Sequence, residues 1–462
     1  MQTYIIAIIL WCSGVYAKNE IYDGHILYEI TVQNVEQTRL VTELEELLHV
    51  SVFTHAVPGR SGQVLVSKER RGHFETKLSA EGIEYKVIVE NIKDVIDLEE
   101  RLLTEATSRS NNRTRNGGVT FDRIYTYEEI DAYLEELQTL YPETVTLVNA
   151  GNSVEGRAIK YIRVSTTNFQ DSSKPVVFIE SLLHAREWIT LPATLYAIHR
   201  LVIDVTEEDL LQDIDWIILP IVNPDGYVFT HVENRFWRKN RAPSTLCPGV
   251  DLNRNFDINW GEASSNIACM ETFHGPEPFS EPETSIVRDI KLAHSNRLEL
   301  FLDIHSFGSM ILYGYGNGTL PSNGLILHLV GVEMATAINA VKASFNPDYI
   351  VGNVALVLYQ ASGSAQDYAQ AIGSLSYTYE LPGYRFGIGG LGFLVDPDFI
   401  EQAGMETWEG IKVGARYARD NYRHKHKSGL TFSAMIISHV IIISHDEFKP
   451  DKFTWNLSEC FT

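Results

Sequence analysis

Two hydrophobic periods take turns along the first hundred residues. Over 25–32 (HILYEITV) every second position is apolar, the period of a half-buried strand. Over 36–48, Leu40, Leu44, Leu47 and Leu48 gather on one face of a helix. Residues 50–57 and 63–67 read as paired strands around the turn Pro58-Gly-Arg-Ser-Gly62. A helix over 71–80 and a strand over 84–89 complete a β-α-β-β-α-β order.

That order suits a small ferredoxin-like α+β sandwich. A further amphipathic helix over 95–106 leads into the polar, glycine-tipped stretch 107–118, which carries Arg109, Arg113 and Arg115. Its composition predicts an exposed linker open to proteolysis. From 121 to about 422 the pattern becomes α/β. Near-continuous apolar strands over 176–179, 215–219, 298–304 and 375–379 are separated by helical segments such as 192–203 and 285–294. This predicts an α/β fold with a mixed sheet and helices on both faces.

The ends of the chain read differently. An apolar run over 4–11 is followed by Ser13-Gly-Val-Tyr-Ala17, whose small residues at 15 and 17 suit signal peptidase. A signal peptide over 1–17 is the expectation, with a short membrane anchor as the other reading. Residues 18–115 are then expected to form the small N-terminal domain and linker, 116–422 the main domain, and 423–462 an extension. Within that extension, 430–443 is apolar but too short and too polar to span a bilayer. It could pack on the body, remain loose or reflect an unusual transcript end.

Composition narrows the function classes. A formal net charge of −22 over 462 residues argues against general affinity for nucleic acid or an anionic membrane. Of four cysteines, Cys12 lies in the signal segment, and Cys247 and Cys269 can close a loop in an oxidising compartment. Cys460 is left free or paired between chains. Asn112-Arg-Thr and Asn317-Gly-Thr are acceptor triplets for glycosylation.

His184-Ala-Arg-Glu187 follows an apolar strand directly and offers zinc an imidazole and a carboxylate at a spacing of three. The signal is weak alone, because His274-Gly-Pro-Glu277 repeats it in a loop broken by Pro276 and Pro278. His305, at the carboxyl end of a second apolar strand, supplies the third ligand of a catalytic zinc site, where open sheets place their chemistry. His184, Glu187 and His305 are therefore the candidate metal ligands.

Around them, His184-Ala-Arg-Glu-Trp188, Arg235-Phe-Trp-Arg-Lys-Asn-Arg241, Gly249-Val-Asp-Leu-Asn-Arg-Asn255, His305-Ser306, Tyr359-Gln-Ala-Ser-Gly363 and Tyr377-Thr-Tyr-Glu380 stand in order. This set resembles the zinc metallocarboxypeptidases, in particular the digestive A/B-type procarboxypeptidases, over about residues 19–422. The resemblance implies an eight-stranded mixed sheet flanked by helices, one Zn2+ and an exopeptidase made as a zymogen. It further implies Glu380 as general acid/base, Arg238 as the donor to the oxyanion, and Asp251 as the carboxylate orienting His184. Asn253 and Arg254 match the clamp on the substrate's terminal carboxylate. Tyr359 matches the tyrosine that closes over the substrate, and Arg186 a contact one residue further from its C-terminus.

Gln366 falls at the family's main selectivity position, with Gly316 and Val354 beside the pocket. Gln366 is neither apolar nor acidic and cannot supply a full counter-charge, so the expectation is a preference for neutral side chains. The implied partners are peptides or proteins with a free C-terminus, an activating trypsin-like protease cutting best at Arg115, and protein inhibitors. The implied setting is extracellular, a digestive lumen.

Overall fold

Two sheets organise the protein in the computed structural model, which describes residues 18–111, 118–383 and 392–428. The signal segment, Asn112, Arg113, Arg115 and Cys460 lie outside the described residues. In the N-terminal part, β1 (Ile26–Thr31), α1 (Val35–Leu48), β2 (Ser51–Thr54), β3 (Gly62–Val66), α2 (Arg71–Ala80) and β4 (Glu84–Val89) follow the expected order. The four strands form an antiparallel sheet in the order β2-β3-β1-β4. The alternating apolar side chains of β1, Ile26, Tyr28 and Ile30, pack under Leu44, Phe74 and Leu78 of the two helices. Asn34 starts α1 by accepting the Gln37 amide at 2.9 Å, the usual N-cap bond.

The helix after β4 is longer than its apolar pattern predicts. It runs as α3 over Ile92–Asn111 and takes in Arg109, which the composition assigns to an open linker. The polar residues mislead because Thr104, Thr107 and Ser108 turn their hydroxyls back onto the carbonyls four residues earlier.

The second sheet has eight strands: β5 (Val145–Asn152), β6 (Ala158–Val164), β7 (Val176–Ser181), β8 (Asp215–Leu219), β9 (Leu298–Ser306), β10 (Met310–Tyr313), β11 (Ile350–Asn353) and β12 (Leu375–Leu381). Their order is β11-β10-β12-β9-β7-β8-β6-β5, with β12, β9, β7 and β8 parallel. All six residues of β7 are buried, which is why its sequence shows no alternation.

Helices cover both faces of this sheet. In chain order they are α4 (Tyr127–Leu140), α5 (Thr190–Val202), α6 (Glu208–Asp213), α7 (Pro224–Val232), α8 (Pro282–Ala293), α9 (Gly324–Val341), α10 (Val354–Val357), α11 (Ala365–Ala371) and α12 (Ile400–Ser428). The larger core contains Ile198, Met334 and Trp408 against Ile179 and Leu302. The opposite face packs Val287 and Ala369 against Phe178 and Phe301. Cys247 and Cys269 are disulfide-bonded, with Cα atoms 4.9 Å apart.

Candidate active site

Parallel pairing of the central strands sets the geometry of the site. His305 in β9 lies directly opposite Glu380 in β12, and Ile304 opposite Ser181 at the end of β7. Three carboxyl ends thus lie side by side. Beyond β7 the chain turns at Leu182, whose φ of 55° is uncommon for a branched residue. The Asn223 amide holds this turn, donating to the Leu182 carbonyl at 3.1 Å, and the Asn223 side chain donates to the Leu183 carbonyl at 3.3 Å. The turn delivers His184 and Glu187 beneath His305.

His184, Glu187 and His305 are buried and offer ligand atoms that all lie within 4.8 Å of one another. Nδ1 of His184 is 2.8 Å from one Glu187 oxygen, and Nδ1 of His305 is 2.9 Å from the other. Both rings are oriented from behind. His184 Nε2 faces Asp251 at 3.1 Å, and His305 Nε2 faces Asp303 at 2.8 Å. Two imidazoles and one carboxylate converging in this way fit the three-ligand set of a catalytic zinc, complete with carboxylates behind the histidines. The other His-x-x-Glu pair stays apart from this cluster. His274 packs on Trp260, bonds Ser264 at 2.9 Å, and leaves Glu277 exposed.

Asp251 does more than orient His184. Its second oxygen accepts two bonds from Arg238, at 3.1 and 2.9 Å, so one buried carboxylate fixes both a candidate ligand and a guanidinium. Burial opposes its ionisation, but Arg238, Arg254 and His184 outweigh that and hold Asp251 well below the usual carboxylate range. Arg254 donates to the Tyr359 hydroxyl at 3.1 Å and to the Asn253 carbonyl at 2.7 Å. The Asn253 side chain faces His305 Nε2 at 3.2 Å and accepts the Ala365 amide at 2.8 Å. Burial first, and then the charge of Glu187, pushes Glu380 up to about 8.

Arg186 is buried, donates to Glu271 at 3.2 Å and lies over the ring of Phe393. Glu271, Asp303 and the buried Glu180 and Lys291 behind the ligands were not legible in the sequence. Only the disulfide beside Glu271 could have drawn attention to it. Gln366 is 1% exposed and lines the cavity that holds the candidate ligands, Arg254, Tyr359 and Glu380.

The N-terminal part contributes to the same cavity through Glu45, Phe53 and His55. The His55 ring sits 4.0 Å from that of Tyr359, and burial with the nearby Arg254 pushes it down to about 3. Arg60 reaches the Val357 carbonyl at 3.2 Å. Behind the cavity, Glu99 of α3 meets Arg235 in a two-pronged ion pair at 2.7 and 2.9 Å, and accepts the Val395 amide at 2.7 Å. The N-terminal sheet therefore caps the cleft.

Residues 130–410 match the family model described as zinc carboxypeptidase, and residues 28–99 match the carboxypeptidase activation peptide. Carboxypeptidase B of Helicoverpa zea is 45% identical over 421 residues, covering 89% of this chain and 98% of that protein. Carboxypeptidase A1 of Bos taurus is 31% identical, covering 91% of this chain and 100% of that one. The crystal structure of carboxypeptidase A from Helicoverpa armigera superposes with a TM-score of 0.85 at 60% identity, over 87% of this chain and 99% of that one. With its activation peptide packed on an eight-stranded α/β sheet, the chain belongs to the zinc carboxypeptidase family and is an A/B-type procarboxypeptidase.

Proposed function

We propose that this carboxypeptidase is secreted as a zymogen, is opened by a trypsin-like cut in the linker, and releases single C-terminal residues with neutral side chains. His184, Glu187 and His305 would hold one zinc ion. When bound, the ion would supply Lewis acidity toward the scissile carbonyl and water. Glu380, level with His305, accepts the proton from water and returns it to the leaving nitrogen. Arg238, kept in place by Asp251, donates to the developing oxyanion.

Arg254 and Asn253 receive the terminal carboxylate, and Tyr359 moves off Arg254 to cover the bound residue. Arg186 contacts the residue before it. Residues 18–115 act as the prodomain, with Arg115 the preferred cleavage site and Arg109 disfavoured by its place on a helix. Peptides with a free C-terminus are the substrates and nucleic acid is not a partner. The structure of bovine thrombin-activatable fibrinolysis inhibitor in complex with tick carboxypeptidase inhibitor, 29% identical to this chain, supports sensitivity to protein inhibitors.

The observation that carries the side-chain preference is Gln366, a neutral amide lining the substrate cavity. The test is hydrolysis of blocked peptides differing only in the last residue, after trypsin treatment, with and without chelator. Chelator-sensitive release of neutral residues that rises on trypsin treatment is expected. Strong preference for C-terminal Lys or Arg would sink the specificity, and no rise in activity the activation.

A further inference from the structure

The floor of the specificity pocket carries polar atoms that the protein leaves without partners. Gln366 is 1% exposed, yet neither its Nε2 nor its Oε1 makes a hydrogen bond. Next to it, Asp367 is also 1% exposed. One of its oxygens accepts the Gly316 amide at 2.9 Å, while Oδ1 has no partner. Both residues line the cavity, so these three unpartnered atoms offer bonds to a ligand that enters it.

The platform beneath them is rigid. Ser364 caps α11 by accepting the Asp367 amide at 3.0 Å, and Ser376 donates to the Gln366 carbonyl at 2.8 Å. Lys291 donates to the Ala365 carbonyl at 2.8 Å from behind. The Gln366 amide therefore projects from a backbone that cannot swing to find another partner. Gly316 on the facing wall admits no side chain, because a Cβ there would lie 2.4 Å from the Ala361 carbonyl. Recognition at the floor is left to Gln366 and Asp367.

We infer that this pocket selects a C-terminal side chain ending in a carboxamide, glutamine or asparagine. The inference rests on the exopeptidase reading above and narrows its neutral class. A carboxamide oxygen accepts from Gln366 Nε2, and its two N–H groups donate to Gln366 Oε1 and Asp367 Oδ1. One planar group thus satisfies all three orphans. An aliphatic side chain satisfies none of them, and sites built to bond a polar group reject analogues lacking it. A carboxylate offers no donor and brings a second negative charge to Asp367. An ammonium offers no acceptor to Gln366 Nε2.

The test uses the zinc-loaded enzyme after removal of the propeptide, with identical blocked peptides ending in Gln, Asn, Leu, Glu or Lys. The expected result is a kcat/KM for Gln or Asn roughly ten- to hundredfold above Leu, the size of one or two recovered hydrogen bonds. Gln366→Leu should cancel that ratio while still releasing Leu, which also reports that the variant is folded. Gln366→Glu, closer in shape, should lower the Gln-to-Leu ratio and raise release of Lys. Leu released as well as Gln overturns this inference and leaves the neutral-residue reading standing. Lys preferred by the unaltered enzyme, and lost in Asp367→Asn, overturns both.

Discussion

The cleft holds two buried polar regions whose key side chains are engaged to different degrees. Around the candidate metal ligands two carboxylates are each engaged twice: Asp251 binds His184 and Arg238 together, and Glu187 faces both histidines, while the Ser306 hydroxyl and the Glu180 carboxylate behind them lack partners. On the pocket floor, Gln366 and Asp367 keep three polar atoms unpaired. Paired groups are held in one geometry before substrate arrives, which suits a site that must position a metal and an oxyanion donor. Unpaired groups are costly until something fills them, which suits a site that must choose among substrates. Preorganisation and selection thus fall to different residues of one cavity.

The comparison can be broken first at its chemical centre. Glu380→Gln should lower kcat by roughly 10²–10⁴, the usual weight of a positioned acid/base, with little change in KM, read by steady-state peptide hydrolysis. Pairing predicts the next effect at the domain interface. Glu99→Gln leaves Arg235 buried without its ionic partner, so docking of the propeptide should weaken by about 3–5 kcal/mol. The propeptide cleaved from this variant should dissociate during size exclusion, where that of the unaltered protein stays bound.

Asp251→Asn tests whether one carboxylate serves two functions. It should reduce zinc affinity or activity by roughly 10–100-fold, seen by competition with a chromogenic chelator and by hydrolysis. A drop in kcat with zinc fully bound would assign the larger share to Arg238.

The smallest effect sharpens the contrast at the cap. Burial first, and then Glu271, pushes Glu45 up to about 7 in the docked zymogen. A carboxyl raised on docking takes up a proton as the domains meet. Docking is therefore unhindered below about pH 4.5, weakens as pH rises from there, and levels off above about 7. Glu45→Gln should raise the thermal midpoint of the zymogen by roughly a few degrees at pH 8, where the buried carboxylate is charged, and not at pH 4, where it is protonated. Calorimetry at the two pH values measures it.

Much of this was legible in the primary structure, and the failures have physical causes. The alternation over 25–32 and the apolar runs at β7 and β9 are local properties, and they returned the right elements. Composition places the start of the linker too early because serine and threonine can satisfy their hydroxyls on a helix as well as in a loop. His184 and His305 carried a signal because each sits at a strand end next to an apolar run. Asp303 lies in the middle of such a run and gave none, and Glu45 and His55 belong to another domain altogether.

The sequence by itself determined the two periodic patterns, the order of the domains and the ordered motifs of a zinc carboxypeptidase. Only the tertiary structure decided that one His-x-x-Glu of two meets His305, that Asp251 serves both His184 and Arg238, and that Gln366 stays unpaired. The reason is the range of the forces involved. Periodicity reports how neighbours along the chain share a face, whereas burial and hydrogen-bond pairing depend on strands more than a hundred residues apart being brought into register.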